Sequence, residues 1–171
     1  VSKMHPMHHP LFIQFLAYFN GNQDYFECHE VLEEYWKYVA PRDKLHPLTG
    51  WIQLATGLYH YRRGNYKGAD TILKKAELTL RNSLHSPFFD DKEIDALSVI
   101  EHIHQTQKNV SLREPFKNWP VNILSISLKD RVEESISILP NQDDQFLQNK
   151  HMLRDRTDIL RARNEKRRSR H

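Results

Sequence analysis

Four residues carry side chains that could work together: His29, Glu33, Gln53 and His60. Two imidazoles and one carboxylate make a three-ligand centre with open positions, a donor set that suits zinc or ferrous iron. An ion held by His29, Glu33 and His60 would activate water or polarise a substrate oxygen, with Gln53 orienting the water or substrate. The same four groups can also satisfy one another. Glu33 can accept hydrogen bonds from both imidazoles, and Gln53 completes a network that specifies a core without doing chemistry. Both readings stand at this level. The string His29-Glu30-x-x-Glu33 resembles the zinc-protease helix pattern but lacks its second histidine, so that chemistry is set aside.

The four residues can meet only if two helices face one another. Asp24 is an N-cap, with Glu27 three residues on at capping-box spacing, and the helix it opens runs through Val39, before Pro41. At about 100° per residue, Tyr25, Cys28, Leu32, Tyr35 and Val39 form its core face, while Glu27, Glu30, Glu34 and Lys37 form a polar strip. His29 and Glu33 lie outside that strip, between Phe26 and Trp36. Pro47 starts the next helix, which continues to Arg63 and is apolar around most of its circumference, as a central helix is. Its one polar stripe holds Thr49, Gln53, Thr56 and His60, with Gly50 and Gly57 beside it. Small residues there admit another backbone or a ligand. The economical arrangement sets the two stripes face to face, with Phe26, Trp36, Gly50 and Gly57 flanking a polar pocket between the helices.

The remaining elements frame this pair. Leu11, Phe12, Phe15, Leu16 and Phe19 repeat at helical spacing up to Asn20-Gly21. A helix after Asn65 carries Ala69, Ile72, Leu73, Ala76 and Leu80 on one face. Asp90 or Asp91 caps a fifth, with Ile94, Leu97, Ile100 and Ile103 as its apolar rows. Pro115 and Pro120 exclude a helix between Asn109 and Ser127, yet Phe116, Trp119, Val121, Ile123 and Leu124 are too apolar for a free linker, so this reads as a packed strap. Leu128 to Leu139 is a short amphipathic helix, and Asp143 onward a polar one. The expected fold is all-α: a bundle of about five core helices (8–110), an extended strap (111–127) and a C-terminal helical extension with a basic tail (128–171). The stretch Met4 to Pro10 is histidine-rich and reads either as an adventitious metal binder or as a poorly ordered terminus.

Composition bounds the function. The chain has 171 residues, 39% hydrophobic and 27% charged, as in globular domains. Five glycines argue against a glycine-rich-loop enzyme or a turn-rich barrel. No apolar run approaches the ~18 residues of a membrane span, and Val1 to Pro10 has no apolar stretch of a secretory signal. Cys28 is the one cysteine, so no intrachain disulfide forms and a cytoplasmic location is expected. It falls on the core face and reads as an inert thiol. His102 and His104, two apart on one helix, cannot be a local ligand pair. The net charge of +3 hides an asymmetry: residues 150–171 hold nine Lys/Arg against three Asp/Glu, leaving 1–149 at −3. That tail suits an anionic ligand or nucleic acid, although its interspersed acids and lack of aromatic groups do not favour nucleic acid. Leu153, Ile159 and Leu160 offer only a thin seam for self-association.

Several strings resemble one family. They are Phe19-Asn20, Asp24 through Trp36, Gly50 through Ala55, Leu58-Tyr59-His60 and Gly64 through Ala69. Together they are similar to the small prokaryotic family called domain of unknown function 309, closely over 12–85 and loosely to Phe116. The resemblance implies an all-α fold and a cytoplasmic protein, includes His29, Glu33, Trp36, Gln53 and His60 among its hallmark positions, and implies no activity. The extension past about Asp130 is less typical of it. Gly57, Gly64, Tyr66, Ala69, Leu73 and Ala76 also resemble a single tetratricopeptide hairpin, short of the roughly three units a solenoid needs. The functional expectation is an interaction or scaffold module that carries the polar cluster and binds a protein partner or anionic ligand. The alternative is a metal-dependent, hydrolase-like enzyme using a divalent ion such as zinc or iron at that cluster.

Overall fold

The structure, a computed structural model, describes residues 4–140 and Leu147. The polar helix expected from Asp143, the basic segment 150–171 and the seam of Leu153, Ile159 and Leu160 lie outside the described residues. Six α-helices follow one another: α1 Pro10–Ala17, α2 Tyr25–Val39, α3 Pro47–Arg62, α4 Tyr66–Arg81, α5 Ala96–Ser111 and α6 Ile126–Ser137. The fold is an all-α bundle.

Helix starts are set by side-chain caps. Asp24 Oδ1 accepts from the Glu27 N–H at 3.1 Å, and Asn65 Oδ1 from the Gly68 N–H at 3.0 Å. Two further helices begin with a His-Pro pair. Proline takes the first helical position, where its missing N–H is not needed, and the preceding imidazole caps the next residue. His9 Nδ1 accepts from the Leu11 N–H and His46 Nδ1 from the Leu48 N–H, each at 3.1 Å.

α3 is the central helix, with α2 on one side and α4 on the other. Its Trp51 is fully buried against Phe12, Phe15 and Phe89, at ring separations of 5.3–5.7 Å, and its Nε1–H donates to the Phe88 carbonyl at 3.0 Å. Gly50 and Gly57 face α4. A β-carbon on Gly57 would stand 2.5 Å from Leu73 Cδ2, and one on Gly50 2.9 Å from Leu80, so the glycines let α3 and α4 close together. Gly50 and Gly57 therefore do not flank the pocket between α2 and α3, as was expected of them; they serve the α3–α4 contact. Gly64, at φ +82°, makes the left-handed turn between the two helices.

Three expectations need correction. The fifth helix starts at Ala96, not near Asp90, because Asp95 is its cap, accepting from the Ser98 N–H at 3.1 Å. Asp90 instead accepts from the Lys92 N–H in the preceding turn. Ile94 is not a helix residue but bridges to Ile123 of the strap, and Leu97 is exposed. Second, of the two readings of the histidine-rich N-terminus, the poorly ordered one is wrong: it is an ordered turn. Met7 is fully buried, His5 Nε2 meets Asp90 at 2.9 Å, His8 Nε2 meets Glu93 at 2.7 Å, and the Tyr35 hydroxyl donates to the Pro6 carbonyl at 2.7 Å. Third, α1 passes into a π-helical turn, Tyr18–Asn22, before Gln23 turns left-handed. The segment between α5 and α6 is held against the helices by side-chain hydrogen bonds. Asn20 makes two hydrogen bonds to the Val121 backbone, at 2.8 and 2.9 Å, and the buried Trp119 donates to Thr106 at 3.1 Å.

Candidate functional site

Between α2 and α3 lies a half-open pocket of about 150 Å³ lined by Tyr25, Phe26, His29, Thr56, Tyr59 and His60. The Asp24 cap sets the start of α2, so that Tyr25, Phe26 and His29 occupy its first turn and a half. The 100° stagger of α3 brings Thr56, Tyr59 and His60 onto the facing side. His29 and His60 thus share one pocket, and Phe26 forms part of its wall, 6.1 Å from the Tyr59 ring.

Tyr25 forms the buried end. It is 0% exposed, and among the described residues no group pairs with its hydroxyl. Burial pushes its phenol well above the ordinary tyrosine range, opposed by the nearby Arg62 charge. The Arg62 guanidinium lies over the Tyr25 ring at 4.7 Å and donates to the Gln23 carbonyl at 2.7 Å. At the solvent side, His29 is 32% exposed. Its Nδ1 stands 3.4 Å from Glu30 and its Nε2 3.4 Å from Glu33, whose other oxygen pairs with Lys37 at 3.0 Å.

The four residues of the expected cluster do not all converge. His29 and Glu33 are neighbours on α2, and His60 faces His29 across the pocket. Gln53 turns the other way, its Oε1 accepting from Thr79 of α4 at 3.3 Å. Trp36 leaves the pocket for the following loop, where its Nε1–H donates to the Asp43 carbonyl at 2.9 Å. At this site the donor atoms that lie within 4.8 Å of one another belong to His29, Glu30 and Glu33; His5, His8 and Glu93 form another such group at the N-terminal turn. His60 is outside both groups, and its Nδ1 instead meets Asn65 Nδ2 at 3.2 Å. Glu30, Glu33 and Glu34 edge a shallow acidic groove along α2 with Glu27 and Lys37.

The other singled-out side chains have structural work. Cys28 is fully buried, donates to the Phe15 carbonyl at 3.6 Å, and its thiol is pushed well up by burial and the Asp24 charge. It is no nucleophile. His102 stacks on Trp119 at 4.7 Å and His104 pairs with Glu77 at 3.1 Å, so they point apart. Sequence reasoning missed Tyr25 and Tyr59 as pocket walls, treating both as core. It also missed the pairing of His5 and His8 with Asp90 and Glu93. No local signal marks contacts 85 positions apart.

Comparison with known proteins places this geometry in a lineage. Residues 12–72 match the family model described as domain of unknown function DUF309. The matched span contains every residue lining the pocket. A Bacillus subtilis (strain 168) protein, "Uncharacterized protein YpuF", is 33% identical over 167 residues, covering 92% of this chain and 93% of that protein. No solved structure matches.

Proposed function

The chain belongs to the DUF309 family, and from that premise we propose that it is a non-catalytic binding module. Its α2–α3 pocket takes a small apolar group, of the size of one aromatic ring, that carries a hydrogen-bond acceptor. One observation carries this reading: Tyr25, whose fully buried hydroxyl has no partner among the described residues, is one of the residues that line a pocket of about 150 Å³. Buried polar groups are nearly always paired, so an exception needs an explanation. An acceptor brought in by a ligand supplies one. A cavity of about this volume is enough for benzene, and a free molecule or the side chain of a partner protein fits this description equally. The reading includes a cytoplasmic site of action, which the single buried cysteine supports. Among the described residues no helix is long and apolar enough to cross a membrane.

The test is a ligand-observed NMR screen with rings of six to ten heavy atoms, run on the full chain and on Thr56→Met, which fills the pocket. Binding by acceptor-bearing rings, lost in the filled variant, is the expected result. Equal binding to both proteins would place the ligand elsewhere and end the proposal.

A second reading, metal-dependent hydrolysis, draws support from the proximity of His29, Glu30 and Glu33. Near-stoichiometric zinc, iron or manganese in protein purified without chelator, lost in His29→Ala, would favour it over the first. Absence of bound metal would leave the binding module.

A further inference from the structure

We infer that the N-terminal turn and the segment leading into α5 form a site for a divalent cation of the zinc class, with His5, His8 and Glu93 as ligands and Asp90 beside them. The site is separate from the α2–α3 pocket and stands whatever that pocket holds.

The donors come from two turns with the same spacing. His5 and His8 are three apart, at the cap and the end of the 3₁₀ turn Pro6–His8. Such a helix has about three residues per turn, so side chains at that interval share a face. Their rings lie 5.4 Å apart. Asp90 and Glu93 are also three apart, in a turn closed by the Glu93 N–H donating to the Asp90 carbonyl at 3.0 Å. The two faces meet, with His5 Nε2 at 2.9 Å from Asp90 and His8 Nε2 at 2.7 Å from Glu93. One donor atom each from His5, His8 and Glu93 lies within 4.8 Å of the other two. Metal bonds of about 2.0–2.2 Å need donors roughly 4 Å apart or less, which small side-chain rotations supply.

Both turns are held by groups other than the ligating atoms. The Tyr35 hydroxyl donates to the Pro6 carbonyl at 2.7 Å, and the fully buried Met7 accepts from the Asp90 N–H through its sulfur at 3.3 Å. The Glu93 carbonyl accepts from the Leu124 and Ser125 N–H groups at 2.9 and 3.1 Å. A scaffold already in place reduces the ordering cost of binding. The side chains are 26% exposed at His5 and Asp90 and 15% at His8 and Glu93, shielded from water yet within reach of an ion.

The donor set selects the ion. Imidazole nitrogens with carboxylate suit zinc and its transition-metal neighbours, whereas magnesium and calcium take oxygen. Binding also moves a proton. His5 Nδ1 accepts from the Met7 N–H at 3.0 Å, so neutral His5 carries its proton on Nε2 and donates to Asp90. An ion that takes Nε2 sends that proton to Nδ1 and releases the Met7 N–H. The Met7 amide therefore reports on this site and on no other.

The experiment uses the full chain, free of any affinity tag and stripped with chelator. Zinc and magnesium are titrated by calorimetry at about pH 7.5, where unperturbed histidine is mostly neutral, and the Met7 amide is followed in ¹H–¹⁵N spectra. Glu93→Gln keeps an acceptor for His8 but removes the anionic ligand, His8→Ala removes an imidazole, and His29→Ala is the control on α2. One zinc per chain is expected, with magnesium silent and the Met7 amide shifting in step with the zinc bound. Zinc affinity should fall by about tenfold or more in Glu93→Gln and His8→Ala and stay within about twofold in His29→Ala, the loss being at least that of altering groups around a bound metal. Circular dichroism confirms that each variant is folded, and the Met7 amide of the wild type carries the test if a variant is not. Equal zinc binding by wild type and Glu93→Gln would show an adventitious ion only and overturn the inference. So would the absence of zinc binding, an unmoved Met7 amide at saturating zinc, or magnesium binding as tightly as zinc. Loss of zinc in His29→Ala alone would overturn it in favour of His29, Glu30 and Glu33.

Discussion

Replacing Tyr25 with phenylalanine should stabilise the ligand-free protein. Removing a tyrosine hydroxyl from a core ordinarily has the opposite effect, because a satisfied buried hydroxyl contributes about 0.5–1.5 kcal/mol. Here the hydroxyl is on a side chain that is 0% exposed, and no described residue pairs with it. An unsatisfied buried donor costs about 1–3 kcal/mol. The ring itself keeps its neighbours: Phe19 at 5.5 Å, Phe116 at 6.0 Å and the Arg62 guanidinium at 4.7 Å all contact faces or edges that phenylalanine retains. Allowing for the dispersion lost with one oxygen, the net gain is about 1–2 kcal/mol. For a chain of this length that is a rise in Tm of roughly 2–8 °C. Thermal unfolding followed by circular dichroism, with the urea midpoint as a second readout, measures it. A fall in Tm by a few degrees would mean that the hydroxyl has a partner in the free protein, and the observation behind the proposed function would be lost.

Further outcomes follow from the same packing. His9 and His46 cap their helices only as neutral imidazoles, and burial lowers the pKa of both, with Asp43 opposing the shift at His46. The unfolded chain, with histidines near 6.5, then binds more protons than the folded one, so stability is fully present above about pH 6.5 and declines as pH falls through the lowered folded values. Urea midpoints should drop between pH 7.5 and 5.5, and His46→Asn, a cap that does not titrate, should flatten the slope; an unchanged or rising midpoint in the wild type would contradict this. Gly57→Ala gains about 1 kcal/mol of helix propensity but drives a β-carbon to 2.5 Å from Leu73, at an overpacking cost of about 1–3 kcal/mol, so a net loss should be seen by denaturation. Met7→Ala should cost about 2–5 kcal/mol, because Met7 is fully buried beneath the N-terminal turn; a loss under about 1 kcal/mol would show that turn to be dispensable.

Much of the frame was legible because its signals are local. Asp24 and Asn65 cap where their residue types and spacing say they should, and α3 is central because its apolar residues surround it. The site was half legible for a related reason. A helical wheel orders side chains around their own axis but does not say which neighbour stands at each angle. His60 and Gln53 are about 20° apart in projection, yet seven residues of rise separate them, and on a helix with partners on two sides one faces α2 and the other α4. The fifth helix was misplaced because Asp90 and Asp95 look alike as caps. What separates them is long-range: Asp90 meets His5, and the Asp95 N–H donates to the Asn122 carbonyl at 2.9 Å. An unpartnered hydroxyl is least legible of all, since it is defined by the whole surrounding shell.

The central claim is that α2 and α3 together form a ligand site, and the imidazoles of His29 and His60 report on it directly. Their ring resonances in ¹H–¹³C spectra of the full chain, followed while an acceptor-bearing ring such as benzamide or benzoate is added, give the most direct measurement. Both residues line the pocket, while His102 is stacked on Trp119 and His5 is paired with Asp90. The expected result is that His29 and His60 shift together along one saturating isotherm while His5 and His102 stay still. Shifts at His5 or His102 alone, or none at His29 and His60 at millimolar ligand, would contradict the account.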